Sequence, residues 1–398
     1  MNIKEILGIR ELFQLREIIK DVIFDNAKRK EYFDEIINNG VDLNTDFLRD
    51  LFQEEASARK SFKQDYTPES ICELFSRIIG ECELIYDECA GTGSLSISCI
   101  NKGTRNIIAI ELSESVLPLL LFNLSIRNIS GYVIQGDVTT NEIMNIYKLV
   151  RDERYSIVEK VETYENIKYK RIISNPPYSL TWSGIIDERF IGFEIPPKSK
   201  ADYLFVLDII NKLEDGGNAF ILLPHGILFR GNQEAAIRKE LVDRGYLKGL
   251  IGLPDNMFLN TGIPTVLIHV RKYEDDDKSI FIMDASKLGT KIGKQNILTE
   301  EAITKIVDRF YNKTEEEKLC RIVKYEEIQK NDYNLNIPRY IDTFEREQIP
   351  EIKDIVQDII SIDREIKDTE KRIAESMKEI VGGNYQSDIK EVIKLWEH

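Results

Sequence analysis

The order of apolar and polar runs predicts an α/β chain. It would carry a doubly wound, Rossmann-like parallel sheet, an N-terminal helical domain and long C-terminal helices. Three observations carry that prediction. Between about residues 70 and 275, short apolar runs such as ELIYDECAGTGSL, NIIAIELS, GYVIQGDV and KRIISNPPYSL alternate with amphipathic stretches, as in sheets covered on both faces. Before residue 60, Leu12, Phe13, Leu15, Ile18, Ile19 and Ile23 recur near a 3.6-residue period. In 352–380, positions Ile352, Ile355, Ile359, Ile362, Ile366, Thr369, Ile373, Ser376 and Ile380 alternate three and four apart, a heptad seam that Gly382-Gly383 would end.

The elements follow in order. Residues 1–62 read as a helical domain, with a second helical stretch around Asp46–Ser61. The change of texture after Tyr66-Thr67-Pro68 opens a sheet domain at 63–275, in which 141–170 reads as a charged insertion between strands. GGNAFILLPHGIL, LKGLIGLPDN and TVLIHVRK are its later strand candidates, and SISCINKG, SVLPLLLFNLSIRN, DYLFVLDIINKLED and QEAAIRKELVDRG its helices. A mixed linker and family-specific segment spans 276–345, and a helical tail suited to binding a partner spans 346–398. A seam of period 3.5 tilts that tail toward pairing with another long helix.

Composition narrows the function classes. The chain has 398 residues and a formal net charge of −15, so it has no whole-chain basic footprint for nucleic acid and needs a local patch or a partner to bind DNA. Cys72, Cys82, Cys89 and Cys99 lie ten, seven and ten residues apart with no C-x-x-C pair, far from His225, His269 and His398. Buried reduced thiols in a cytoplasmic protein fit this spacing better than zinc, and no metal site is expected. The charged N-terminus does not read as a signal peptide, and no apolar run is long enough to span a membrane.

The chemistry concentrates at strand ends. Asp87-Glu88-Cys89-Ala90-Gly91-Thr92-Gly93 turns from a strand into a helix, and its glycines allow a ligand close to the backbone. Taken alone, such a turn is weak evidence. Glu111 ends the next strand 24 residues after Asp87, where a carboxylate accepts hydrogens from both ribose hydroxyls. Asp137 ends the third strand, where it can accept from an adenine amine. Singly, Glu111 reads as a surface glutamate and Asp137 as a turn or N-cap aspartate. Three consecutive strand ends bearing acids are far less expected by chance. The fourth strand leads into Asn175-Pro176-Pro177-Tyr178. Two prolines stiffen this loop, the Asn175 side chain and the Pro176 carbonyl offer acceptors for one planar amine, and Tyr178 offers a stacking face.

Together, Asp87–Gly93, Glu111, Asp137 and Asn175-Pro176-Pro177-Tyr178 resemble the S-adenosylmethionine-dependent amino-methyltransferases of DNA. With Tyr66-Thr67-Pro68 ahead of the glycine turn, the order is similar to the gamma arrangement of N6-adenine enzymes. Lys200-Ala201-Asp202-Tyr203, Leu222–Gly231, Ile251-Gly252-Leu253-Pro254, Asn260–Thr265 and Asn331–Tyr340 resemble the modification subunit of type I restriction–modification systems. Glu88 stands where that family often has proline, and Tyr178 where phenylalanine is common.

The resemblance implies a methyltransferase sheet that uses S-adenosylmethionine to methylate the N6 amine of a flipped-out adenine in double-stranded DNA. Asn175, Pro176, Pro177 and Tyr178 would act on the base. Tyr66, Thr67, Pro68, Asp87, Ala90, Gly91, Thr92, Gly93, Glu111, Leu112, Asp137, Val138 and Asn175 would hold the cofactor. It also implies a separate DNA-specificity subunit clasped by the heptad seam, a second copy of the chain, and a possible restriction subunit. The same Asn-Pro-Pro-Tyr chemistry serves methyltransferases of RNA bases and of protein glutamine. A catalytically silent scaffold is the alternative from another class, and a nicotinamide dehydrogenase is disfavoured because Ser96 occupies the third glycine position. His225 reads as a structural histidine bonded to backbone, and Tyr203 and Phe205 as core.

Overall fold

The computed structural model describes residues 3–9, 14–49, 51, 67–259, 261–273, 277–343, 351–378 and 391–392. Tyr66, Asn260, most of the second helical stretch, Ile380 and Gly382-Gly383 lie outside the described residues. The chain divides into two compact units, Met1–Thr343 and Phe344–His398.

In the first unit, helices α1 Ile3–Ile6, α2 Gln14–Ile23, α3 Asn26–Asn38 and α4 Glu69–Ile79 precede the sheet. Then come β1 Leu84–Glu88, α5 Ser94–Asn101, β2 Asn106–Glu111, α6 Leu117–Ile126, β3 Ser130–Asp137, β4 Glu142–Val150, β5 Ile157–Val161 and β6 Tyr169–Ser174. Next are α7 Asp202–Lys212, β7 Leu213–Pro224, α8 Gln233–Asp243, β8 Leu247–Gly252, β9 Thr265–Arg271 and β10 Ile280–Asp284. A small hairpin, β11 Gly289–Ile292 with β12 Gln295–Leu298, leads to α9 Glu300–Asn312, β13 Cys320–Val323 and α10 Tyr325–Lys330.

Eleven strands form one sheet in the order β13-β10-β8-β9-β7-β6-β1-β2-β3-β4-β5. Its centre, β7-β6-β1-β2-β3, is parallel throughout. The order reverses direction between β1 and β6, so the loops after those strands diverge and leave a crevice, the position where open α/β sheets bind ligands.

Successive strand residues point to opposite faces and bury there. Ile85 and Ile173 join one hydrophobic cluster while their neighbours Tyr86 and Ile172 join the opposite one with α7 and α8. The central helix α6, LPLLLFNLSI, is buried along its whole length because it lies between the sheet and the N-terminal helices.

Three regions differ from the sequence reading. Leu15, Ile19 and Ile23 of α2 share one core with Ile107, Ala109 and Val133 of the sheet, so the described part of 1–62 belongs to the sheet's own compact unit. The charged segment 141–170 supplies β4 and β5, antiparallel strands that extend one edge. Within 276–345, β10 pairs parallel with β8 and β13 antiparallel with β10, so this segment completes the other edge. Charged residues along β4 and β5 mask their half-buried pattern, which explains why 141–170 did not read as strands.

In the second unit, α11 Ile352–Lys378 is one 27-residue helix. The isoleucines at 352, 355, 359, 362, 366 and 373 are all exposed, 39% or more. Among the described residues no helix is long and apolar enough to cross a membrane.

Candidate active site

The loops that follow β1, β2, β3 and β6 enclose a cavity of about 510 Å³. Its lining includes Thr67, Ala90, Gly91, Thr92, Glu111, Leu112, Asp137, Val138, Asn175, Pro176, Pro177 and Tyr178. Those residues come from four strand ends and the start of α4, which the sheet order brings together. Pro68, Asp87 and Gly93 stand behind the wall instead of on it. Pro68 caps the N-terminus of α4. Gly93 has φ +95°, and a Cβ there would stand 2.9 Å from Leu120, so its glycine serves the turn's packing. Gly91, at φ +58°, faces open space instead, and a ligand can approach its backbone.

Asp87 is fully buried. Its Oδ2 accepts a hydrogen bond from Ser96 Oγ at 2.6 Å, while its Oδ1 is buried without a partner. Burial pushes this carboxyl up to about 7. Ser96, at the third glycine position, thus ties the glycine-turn helix to β1.

Glu111 is held by two backbone amides. Gly91 N–H donates to its Oε2 at 2.9 Å and Ser113 N–H to its Oε1 at 2.7 Å. Burial raises its carboxyl while these amides draw it back down. The bond to Gly91 also fixes the glycine turn against β2. Asp137 Oδ1 accepts from the amide and hydroxyl of Thr139 at 2.8 and 2.7 Å. Leu112, on the same lining, stands 53% exposed and offers an apolar face.

Across the cavity, Asn175 Nδ2 donates to Thr67 Oγ1 at 2.8 Å and Tyr178 Oη donates to Asn175 Oδ1 at 2.8 Å. Thr67 therefore sets which end of the Asn175 amide faces Tyr178. The Tyr178 ring meets Phe258 edge to face, with centroids 6.0 Å apart.

Several contributors were not legible in advance. Phe258, Thr261 and Ile263 line the cavity from the loop between β8 and β9. Phe205, read as core, is buried and also lines it. Asp46, from the N-terminal region, accepts from Thr92 Oγ1, from Ser94 Oγ at 2.6 Å and from Asn123 Nδ2 at 2.8 Å. Arg127, pulled down to about 10 by burial against the field of Asp46, anchors that segment through the carbonyls of Leu43 and Thr45.

Glu88 points into a buried relay. Lys212 Nζ contacts Glu88 Oε2 at 3.1 Å and also Asp208, and Asp208 Oδ1 meets Arg189 Nη1 at 3.1 Å. Arg189 Nη1 in turn donates to the Val138 carbonyl, on the cavity wall. Burial, then the charge of Asp208, drives the Glu88 carboxyl well above its usual range. His225 makes its backbone bond through its main-chain N–H to Pro264 O at 3.1 Å, whereas its ring Nε2 is buried without a partner. The expected bond to backbone is thus made by the main chain of His225, and its ring Nε2 takes no part in it.

Comparison with known proteins agrees with this architecture. The family model described as N-6 DNA Methylase matches residues 41–349. The chain is 31% identical over 372 residues to the type I restriction enzyme MpnII methylase subunit of Mycoplasma pneumoniae, covering 87% of this chain and 65% of that one. It is 25% identical to the MjaVII methylase subunit of Methanocaldococcus jannaschii, covering 94% of this chain and 66% of the relative. The chain thus spans just under two thirds of the length of these relatives. Among solved structures, the type I restriction-modification methyltransferase subunit from Streptococcus thermophilus superposes with a TM-score of 0.65 at 28% identity, over 85% of this chain and 79% of that one. A putative type I modification subunit from Vibrio vulnificus, 16% identical with a TM-score of 0.57 over 80% of this chain and 70% of its own, shares the fold. A strand-end cavity of this composition, within a match spanning most of the sequence, makes the chain a member of the N-6 DNA methylase family.

Proposed function

We propose that this chain transfers a methyl group from S-adenosylmethionine to the N6 amine of an adenine flipped out of double-stranded DNA, as the modification subunit of a type I-like restriction–modification complex. One observation carries the reading. The acceptor loop 175–178 and the acidic ends of β2 and β3 line a single cavity at the sheet's switch point.

The residues present fit the cofactor. Gly91 leaves room over the turn, Glu111 and Asp137 bring carboxylates to the lining, and Leu112 exposes an apolar face on it. When bound, S-adenosylmethionine supplies a methyl group made electrophilic by its sulfonium. Glu111 would accept from the ribose hydroxyls, using the lone pairs its two backbone amides leave over. Asp137 and Val138 would hold the adenine end, and Thr67 and Tyr66 the methionine end, with Pro68 behind them fixing the start of α4.

The acceptor base must leave the stack to reach this depth. Tyr178 would stack on it. Asn175 Oδ1 and the Pro176 carbonyl would accept both hydrogens of its amine, drawing the lone pair out of ring conjugation and aiming it at the methyl. The stiffness that Pro176 and Pro177 confer is the positional part of the catalysis. A proton then leaves the amine after transfer, so no strong base is required in the cavity.

With a net charge of −15, DNA affinity would come largely from a separate specificity subunit. The exposed isoleucine edge of α11 supports a helical contact with that subunit, in a complex holding two copies of this chain and, where restriction occurs, a nuclease subunit. The resulting setting is cytoplasmic.

The test is methyl incorporation into duplex DNA, RNA and protein by the wild-type chain and by Asn175→Ala, each supplied with its specificity subunit. Methylated adenine in DNA, lost in the variant, is the expected result. Transfer only to RNA or to protein glutamine would replace the substrate, and absence of cofactor binding would leave a scaffold. Truncation from residue 350 should abolish assembly with the specificity subunit and spare cofactor binding; retained assembly refutes the role given to α11.

A further inference from the structure

Two segments singled out in the sequence without a role, Lys200-Ala201-Asp202-Tyr203 and Phe229-Arg230-Gly231, meet behind the loop that carries Tyr178. Asp202 opens α7 and is fully buried. Its Oδ1 accepts the main-chain N–H of Ser179 at 2.7 Å, and its Oδ2 accepts from Arg230 Nη1 at 2.6 Å. Arg230 Nη1 also reaches Glu234 Oε1 at 3.2 Å, so the guanidinium is fixed from α8. The preceding residue acts on the same loop: Ala201 N–H donates to the Leu180 carbonyl at 2.8 Å. Two consecutive residues of the helix start thus pin two consecutive residues after Tyr178.

Ser179 needs that hold. Its φ is +52°, a left-handed conformation that a serine keeps only where its surroundings over-determine it. A charged acceptor on its N–H is stronger than a neutral one. Arg230 makes the burial of that charge tolerable. Asp202, Arg230 and Glu234 do not line the cavity, yet they fix the backbone between Tyr178 and Leu180, which do.

We infer that Asp202, held by Arg230, is a positioning residue that directs Tyr178 onto the acceptor base. This rests on the function proposed above. It divides the cavity's support into a part that serves the acceptor alone and a part that serves the cofactor.

The test uses the full chain labelled with 3-fluorotyrosine, its Tyr178 fluorine resonance assigned by loss in Tyr178→Phe. Calorimetric binding of S-adenosylmethionine and methyl transfer to duplex DNA with the specificity subunit are measured alongside. In Asp202→Ala the Tyr178 resonance should shift or broaden, cofactor affinity should stay within about threefold, and transfer should fall about 100-fold, as for a displaced reacting geometry. Asp202→Asn keeps an acceptor for Ser179 N–H and should lose only about tenfold.

An unmoved Tyr178 resonance, or cofactor affinity falling in step with transfer, overturns the inference. Should Asp202→Ala fail to fold, Asp202→Asn and Arg230→Gln carry the same readouts. A wild-type chain that binds cofactor but leaves DNA unmethylated sinks the proposed function instead, and the fluorine resonance still decides whether Asp202 sets Tyr178.

Discussion

The two sides of the cavity are braced from two distant parts of the chain, one near its N-terminus and one near its middle. On the glycine-turn side, Asp46 gathers the hydroxyls of Thr92 and Ser94 and the Asn123 amide, so a residue from the N-terminal region holds the loop after β1. On the Asn-Pro-Pro-Tyr side, Asp202 and Arg230 hold the backbone just past Tyr178. Each brace is a buried carboxylate accepting from loop groups, but their consequences differ. The first touches cavity-lining side chains directly. The second acts through the backbone of Ser179, between the lining residues Tyr178 and Leu180. On the function proposed, a methyl donor and a methyl acceptor would bind at opposed walls and need separate supports, because an error in either position alone spoils the in-line approach.

Substitutions on the two sides should therefore separate binding from transfer. The largest effect is expected at the acceptor. On the function proposed, Asn175→Ala would remove one of two amine acceptors, the partner of the Tyr178 hydroxyl and a partner of Thr67, and methyl transfer should fall about 10² to 10³-fold, well beyond any loss of cofactor affinity. Paired calorimetry and methyl-transfer assays check this, and a parallel loss of cofactor binding would erase the distinction between the walls.

Next comes the opposite brace. Asp46→Ala takes an acceptor from three side-chain donors, Thr92 Oγ1, Ser94 Oγ and Asn123 Nδ2, and should lower stability by about 2 to 3 kcal/mol while weakening cofactor binding. Thermal unfolding with and without cofactor reads both. Equal stability would mean that the N-terminal segment does not hold the turn.

Glu111→Ala should weaken cofactor binding about 10- to 30-fold by losing a charged acceptor and freeing Gly91, with the maximal transfer rate largely kept. An unchanged affinity would move the ribose elsewhere.

The last effect is a slope in pH. Asp87 sits in the fold with its carboxyl raised to about 7 by burial, whereas in the unfolded chain it ionises near 3.8. Its contribution to stability is complete below about pH 4 and is lost as pH rises through about 7. Asp87→Asn lacks that loss, so its stability relative to wild type should climb between about pH 4 and pH 7 and level off above. A constant difference across pH would show that the carboxyl is already ionised in the fold.

Much of this was open to sequence reasoning, for a physical reason. Strands buried on both faces read as continuous apolar runs, so Leu84–Glu88, Asn106–Glu111 and Tyr169–Ser174 announce themselves, and with them the positions of their carboxyl ends. Gly91 needs a left-handed φ, and Pro176-Pro177 imposes a stiff turn; both are local properties legible in a few residues. What stayed hidden depends on which distant segments the sheet order makes neighbours. Phe258 reaches Tyr178 from eighty positions away, Asp46 reaches Thr92 from forty-six, and Asp202 reaches Ser179 from twenty-three. No periodicity records such meetings, because each partner taken alone obeys only its own element's pattern. The antiparallel edges were hidden for a related reason: their half-exposed, charged strands lack the continuous burial that marks the centre. By itself the sequence determined the central strands, the glycine turn and the chemistry of residues 175–178. The tertiary structure decided what holds them in place, because such bracing is made of contacts between residues that only the folded sheet brings within hydrogen-bond reach.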